Sequence, residues 1–600
     1  KFLAGSNLYP NPYARMMTTY AEHNSNVVTT VLKIDQKLDF LLKGLSLNGW
    51  INFKNWSKTA FSRSINPYFY GIKEGSYDLN NPNTNYELVL LNNDGTDYIK
   101  ESGVSKSTDQ TFELQATLNY DRQFGLHNVG AMLLYKQREY RGDGASLPNR
   151  NQGLSGRLTY DYNHKYLFEF NFGYNGTERL AKEDRFGFFP AMSLGWVISN
   201  EEFFRPLTSV ISHLKLRGSY GLVGSDDLAS PRGSHYLYIN KLENNSLNYI
   251  QYTFGQSGNS TLGGPMLTYY AMRGLGWEKV KKMDIGFDIT LLDDWTFTFD
   301  YFKDKRFDIF MQREAWPQSL GYHIAKPWSN VGKMNNEGVE FSLSYNKNIT
   351  KDLNISLTSN FTYNANKVIY RDEPNYPSVW QMSKGKPLDY TLGYIADGLF
   401  KSQEEIDNGP RQNLGSKPMV GDIKYRDING DGTITPEDRC MISKYNTTPR
   451  IQYGFGATVN YKNFDFGIFF NGSAKRTIMT NWMDPFQESA GVGNRNVIRY
   501  IADDHFSVDK QNFDAKYPRL GLLSTDIANN QVPSTYWMRN GSFMRLKNLE
   551  IGYHIPYGRI FVSGVNLLTF SPFDLWDPEL SGWNSYPMQR TINVGLQLNF

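Results

Sequence analysis

The stretch RDINGDGTITPEDR, residues 426–439, is a concentrated set of oxygen donors. Asp427, Asn429, Asp431 and Asp438 fall at positions 1, 3, 5 and 12 of a calcium loop, with Gly432 at the sharp turn. In that arrangement Thr433 supplies a backbone carbonyl and Asp438 the closing carboxylate. Calcium takes about six to eight such oxygens. Asp438 stands where calcium sensors carry a bidentate Glu, which shortens the reach and lowers the expected affinity. No amphipathic helix pair flanks the loop, so a bound calcium is expected to brace a lobe rather than to act as a sensor. The same residues also suit a plain Gly- and Asp-rich turn.

Other chemistry is sparse. The chain has no P-loop, no G-x-S-x-G elbow and no H-E-x-x-H. Its eight His are scattered without ligand spacing, and no acid/base or nucleophile set clusters in the sequence, so an enzyme is not expected. Cys440 is the only cysteine, which excludes a disulfide scaffold and any multi-cysteine zinc site. Seven of the twelve Trp fall in candidate loops: Trp316, Trp328, Trp380, Trp482, Trp537, Trp576 and Trp583. Sugar rings stack on such faces, and Trp380, Trp482 and Trp328 are the candidates for substrate contact. Loop packing and a membrane-interface belt account for the same residues equally well.

The elements that must position these residues are strands. Period-two alternation is nearly continuous. KMDIGFDITL sets Met283, Ile285, Phe287, Ile289 and Leu291 opposite Asp284, Gly286, Asp288 and Thr290. RIQYGFGATVNY and NFDFGIFFN repeat the pattern, and TINVGLQLNF closes the chain with Ile592, Val594, Leu596, Leu598 and Phe600 on one side. In FMRLKNLEIGY the phase slips near Lys547–Asn548, as a β-bulge would cause. Seventeen strands are expected, near 27–38, 47–60, 111–122, 127–139, 153–162, 166–176, 190–198, 213–222, 280–291, 294–303, 337–347, 352–364, 449–461, 463–474, 543–554, 557–566 and 590–600. Tight links alternate with long ones (about 63–110, 223–279, 304–336, 365–448, 475–542 and 567–589). One medium link, NEEFFRPLTSVISH, is expected to hold a short helix.

Composition agrees. Aromatic residues make up 15% of the chain and Gly numbers 52, a mixture that favours strands, turns and interface-seeking rings. The net charge of +3 is spread over 63 basic and 60 acidic residues, without the basic tract that nucleic acid would require. Mean hydropathy is −0.52, which does not speak against a membrane barrel, because every second residue of each strand faces water. Long loops on one side and tight turns on the other are the layout of an all-β, transmembrane antiparallel β-barrel. An odd strand count whose first member runs inward, and a chain opening KFLAGSNLYP without initiator Met or signal peptide, make this a processed chain or fragment with strands upstream.

LTYDYNHKYLFEFNFGYNGTERL, FFPAMSLGWVISNEEFF, LKLRGSYGLVG, SNVGKMNNEGVEFSLSYN, GDIKYRDINGDGTITPEDR and FMRLKNLEIGYHIP follow one another in that order. In these stretches, and from about residue 27 to Phe600, the chain resembles the SusC/RagA family of TonB-dependent outer-membrane transporters. The resemblance implies a 22-stranded barrel around an N-terminal plug, with five strands and the plug lying outside this chain. It also implies the outer membrane of a Gram-negative bacterium, uptake of oligosaccharides or oligopeptides under a SusD-like surface lipoprotein lid, and energy delivered by TonB through the plug. Leu596, Leu598 and Phe600 fit a C-terminal barrel-assembly signal. A surface adhesin and a passive porin are the competing expectations. An adhesin should carry polar residues on both strand faces, and a porin should lack plug and TonB-contacting sequence.

Overall fold

The computed structural model describes residues 3–4, 7–8 and 12–599, apart from 79, 82–84, 145–146, 228–235, 318, 320–325, 487–496, 581 and 583. Phe600 of the assembly signal and Trp583 lie outside the described residues. Seventeen long strands make up the main antiparallel sheet. In chain order they are β1 (Thr19–Lys37), β2 (Leu45–Ser64), β3 (Lys100–Phe124), β4 (His127–Arg141), β5 (Asn149–Tyr162) and β6 (Tyr166–Thr177). Next come β7 (Phe186–Val197), β8 (Ile211–Ser225), β9 (Glu278–Leu291), β10 (Trp295–Gln312), β11 (Trp328–Thr350) and β12 (Leu353–Tyr370). The last five are β13 (Ile451–Tyr461), β14 (Phe464–Ala474), β15 (Phe543–Ile555), β16 (Gly558–Phe570) and β17 (Thr591–Leu598).

Each expected strand has its counterpart, but several run further than expected at the long-loop end. β1 begins at Thr19, β3 at Lys100 and β11 at Trp328, while β10 continues to Gln312. The links expected at 63–110 and 304–336 shrink accordingly. The cause is physical: where a strand leaves its oily surroundings both faces are wet, and no hydropathy alternation remains to mark it. The link after β7 holds its short helix as two 3-10 segments, Ile198–Asn200 and Glu202–Leu207. Pro206 lies inside the second and removes one N–H donor, consistent with a segment this brief.

By internal contacts the chain divides into two units, residues 1–38, 46–118 and 134–153, and residues 39–45, 119–133 and 154–600. In the first, β1 and β2 pair without a slip from Thr19 opposite Ser64 to Lys37 opposite Ser46. In the second, an unbroken antiparallel ladder runs from β6 through β17. Directly opposed residues share a face, so the ladder sorts side chains across strands. Leu216, Phe287, Phe299, Phe341, Phe361 and Tyr453 form one row from β8 to β13. One residue along, Arg217, Gly286, Asp300, Glu340, Thr362 and Gln452 form a row on the other face.

The apolar face is the exposed one. Leu216, Ile285, Ile551, Val562, Val594 and Leu596 all lie open on it, the reverse of a sheet that packs in water. The bulge expected near Lys547–Asn548 is present: the β15 register shifts between Leu546 and Asn548 against β16, and between Phe469 and Phe470 of β14. Buried apolar clusters sit mainly in the connections. The larger gathers Leu399, Ile423, Ile434, Phe486, Ile501 and Trp537; the smaller is centred on Leu180, Leu237, Leu275 and Trp277.

Candidate functional site: the polar wall and the outer lobe

On the polar face of the second unit, ion pairs lie flat across neighbouring strands. Arg217 of β8 grips Asp300 of β10 with two nitrogens at 2.6 and 2.7 Å, reaching over the intervening β9. Its remaining contacts go to Asp288 at 3.2 Å and Asp284 at 3.4 Å. Residue 286, between them, is Gly for a steric reason: a Cβ there would come within 2.2 Å of the Asp300 carboxylate and 3.1 Å of the Arg217 guanidinium carbon. β14 to β16 repeat the device. Arg559 binds Asp465 and Glu550, and His554 lies 3.1 Å from Asp465. Gly552 leaves the space, since a Cβ there would stand 2.4 Å from Asp465 and 2.5 Å from Arg559. A cleft of about 740 Å³ opens beside the Arg217 group, with Asp121, Glu169, Ser193, Lys215 and Asp284 on its walls. Such a surface offers water and polar solutes many hydrogen-bonding partners.

Beyond the strand ends, the connections 371–450 and 475–542 interlock. Asp422 is fully buried. Its carboxylate accepts from Arg519 Nε at 2.9 Å and Nη2 at 3.2 Å, from Asn530 Nδ2 at 2.9 Å and from the Met419 N–H at 2.9 Å. Burial pushes the Asp422 carboxyl above the usual carboxylate range, against the pull of Arg519 and Asn530. Gln412 donates to the Asn529 side-chain carbonyl at 2.6 Å and accepts from the Tyr425 N–H at 2.7 Å. The Tyr425 hydroxyl donates to the Asn529 carbonyl at 2.8 Å. Complete burial holds that hydroxyl well above its ordinary pKa, so it stays a donor. Trp537 Nε1 donates to the Asn530 carbonyl at 2.9 Å. The contacts of Arg519, Asn529 and Asn530 with Asp422, Gln412 and Tyr425 bridge positions roughly a hundred residues apart, and sequence reading missed them because each partner alone is an ordinary loop residue.

A further clamp ties the connection after β16 to the wall. Fully buried Arg545 of β15 meets both Asp577 oxygens at 2.6 Å, and Glu579 lies 3.3 Å away.

The 427–438 loop folds on its own amides. The Asp427 carboxylate accepts from the N–H groups of Gly430 and Gly432 at 2.7 and 2.8 Å. Asn429 accepts from the Asp431 N–H at 3.0 Å, and Asp431 from the Thr433 N–H at 2.7 Å. Buried Asp438 accepts from Ile428 at 2.9 Å, Asn429 at 3.3 Å and Thr435 at 2.8 Å. The donors are oxygens, the type calcium takes, but their carboxylates do not close into a cage. Among the described residues no three His, Cys, Asp or Glu side chains gather closely enough to hold a metal ion.

The three tryptophans singled out for substrate contact each have a packing partner. Trp380 Nε1 donates to the Glu437 carbonyl at 3.1 Å, beside that loop. Trp328 opens β11 and stacks on Phe310, centroids 4.7 Å apart. Trp482 packs against Trp576 at 5.7 Å. Trp537, also expected in an outer loop, is fully buried in the lobe.

A family model described as "TonB dependent receptor-like, beta-barrel" matches residues 4–567. The chain belongs to this TonB-dependent receptor β-barrel family. It is an outer-membrane β-barrel protein, its exposed apolar face the one that meets lipid. Among its relatives, the TonB-dependent receptor SusC of Bacteroides thetaiotaomicron is 26% identical over 630 residues, covering all of this chain and 58% of the relative. The TonB-dependent receptor P3 of Formosa agariphila is 26% identical over 575 residues, covering 83% of this chain and 54% of its own. The chain thus spans little more than half the length of these relatives. Among solved structures, the RagAB peptide importer in its open-open state superposes with a TM-score of 0.73 at 17% identity, over 97% of this chain and 62% of the other. At that identity the likeness is one of fold. The SusC/RagA resemblance and the β-barrel expectation are both upheld.

Proposed function

We propose that this chain supplies the wall and outer loops of a SusC-like importer, energised through TonB, that takes up oligosaccharides or oligopeptides. A SusD-like surface lipoprotein acts as its lid, and a plug region contacts TonB. The observation that carries the reading is the polarity of the sheet, oily and open on one face, ion-paired and polar on the other. Membership in a receptor family, rather than an enzyme family, supports it. A strain lacking the gene should fail to grow on one class of oligomer, glycan or peptide, as sole nutrient, while growing normally on the corresponding monomers. Normal growth of that strain on every glycan and peptide tried would end the proposal. Trp380, Trp482 and Trp328 are the proposed substrate contacts; Trp482→Ala should reduce growth on that oligomer alone.

The 427–438 loop is proposed to brace the lobe, with calcium as an auxiliary ligand. Because the loop amides already hold the carboxylates, binding is expected to be weak, on the order of 10⁻⁴–10⁻³ M. Calorimetric titration should show saturable calcium binding that Asp427→Asn with Asp431→Asn abolishes. Equal heats from the two proteins would remove calcium from the account.

A further inference from the structure

The link from β7 to β8 exposes more oily surface than a water-facing connection should. In the second 3-10 segment Phe204 turns inward and is buried, while Phe203 is 67% exposed and Leu207 51% exposed; Val210 just beyond is 53% exposed. The side of the wall on which this link lies can be read from Glu201. On β7, Met192, Leu194 and Trp196 alternate on the exposed apolar face, and Tyr166 of β6 sits opposite Trp196. Glu201 accepts from Trp196 Nε1 at 3.2 Å and from Lys165 Nζ at 2.9 Å. Trp196 thus holds Glu201 on the apolar side of the wall, and Lys165 reaches it from the tight turn before β6. Towards the next strand, the Leu292 N–H donates to the Val210 carbonyl at 2.8 Å, and Leu292 is exposed as well. The link and the neighbouring turn are thus joined, and both carry exposed apolar side chains. Arg205, in the same turn, is exposed and forms no ion pair among the described residues.

We propose that the 198–210 link is a membrane-seated foot: Phe203, Leu207 and Val210 enter the phospholipid leaflet at the tight-turn end of the wall, and Arg205 binds a lipid phosphate. Three physical arguments favour lipid over protein as the occupant. The link is hydrogen-bonded to Trp196, which stands on the face that lipid covers, through Glu201. Trp196 and Tyr166 border it, the two side-chain types that settle at membrane–water interfaces. A guanidinium beside exposed Phe and Leu matches the polar and apolar halves of an interfacial segment.

The test rests on the outer-membrane reading and can be separated from it. In a Cys440→Ser background, nitroxide labels are placed through Phe203→Cys, Leu207→Cys, Glu202→Cys and Ile285→Cys, and the receptor is reconstituted in phospholipid nanodiscs. Collision with oxygen should exceed collision with a water-soluble nickel chelate at 203 and 207, as at the mid-strand position 285. The order should reverse at 202. Nickel-dominated collision at 203 and 207 with oxygen-dominated collision at 285 would overturn the foot and leave the wall intact. Low collision with both reagents at 203 and 207, the mark of a protein cover, would overturn it equally. Nickel-dominated collision at 285 would instead strike down the wall itself.

Discussion

The most consequential single side chains are charged groups held where water is scarce. Asp422 has no exposure, and Arg519 is the only cation that pairs with it among the described residues. Removing one member of a buried pair leaves the other uncompensated, which costs about 3–5 kcal/mol. Arg519→Ala is therefore expected to loosen the lobe by about that amount. Limited proteolysis should then cut within 371–542 at protease levels that spare the parent chain, while the strands stay intact. Unchanged cleavage would mean that Asn530 and the Met419 amide alone hold Asp422. None of these lobe residues was legible beforehand; on the wall, Asp284 and Asp288 were, as members of a polar face, because alternation assigns a face and nothing more. Their partner Arg217 lies some seventy positions away, a distance no local pattern spans.

At the scale of elements, alternation decides which side of each strand meets lipid, and the bulge at Lys547 resets it. Before the bulge, Phe543 and Arg545 point to the polar side; after it, Asn548, Glu550 and Gly552 do, as the pairing with β14 shows. Without Lys547, Leu546 and Asn548 become neighbours, and they already oppose the consecutive Phe470 and Phe469 of β14, so both parts of the strand keep their faces. Deletion of Lys547 is thus expected to leave Arg545 on the polar side and Ile551 and Tyr553 towards lipid. Outer-membrane yield, followed by heat-dependent gel mobility, should stay within about twofold of the parent's. A several-fold loss of yield would show that the bulge itself is required for assembly. The bulge was readable from sequence because one-sided burial in lipid is demanding. The strand extensions at the long-loop ends were not readable, because both faces there are wet.

At the scale of the whole molecule, the wall and the lobe obey opposite rules. The wall turns its oily side outward and keeps ion pairs on the other, whereas the lobe buries Ile423, Phe486 and Trp537 as a water-soluble domain does. Lipid can surround the first, while the second packs as a rigid body beyond the strand ends. The growth phenotype belongs to this scale, since the proposed uptake would depend on the assembled receptor rather than on any one contact. Loss of growth on a single oligomer class, with monomers still used, is the signature of a missing importer and not of a missing metabolic step.

Alternation, loop sorting and aromatic content sufficed to determine seventeen strands, their lipid and water faces, the bulge and the barrel class. Each follows from short-range periodicity imposed by a two-sided solvent. Only the tertiary structure decided that two long loops share one core, that Asp422 meets Arg519 across about a hundred residues, and that the Asp-rich loop closes on its own amides. It also decided that Trp196 holds Glu201, in the link after β7, on the oily side of the wall. These arrangements depend on which distant segments pack together, and a residue's own neighbours in the chain carry no record of that.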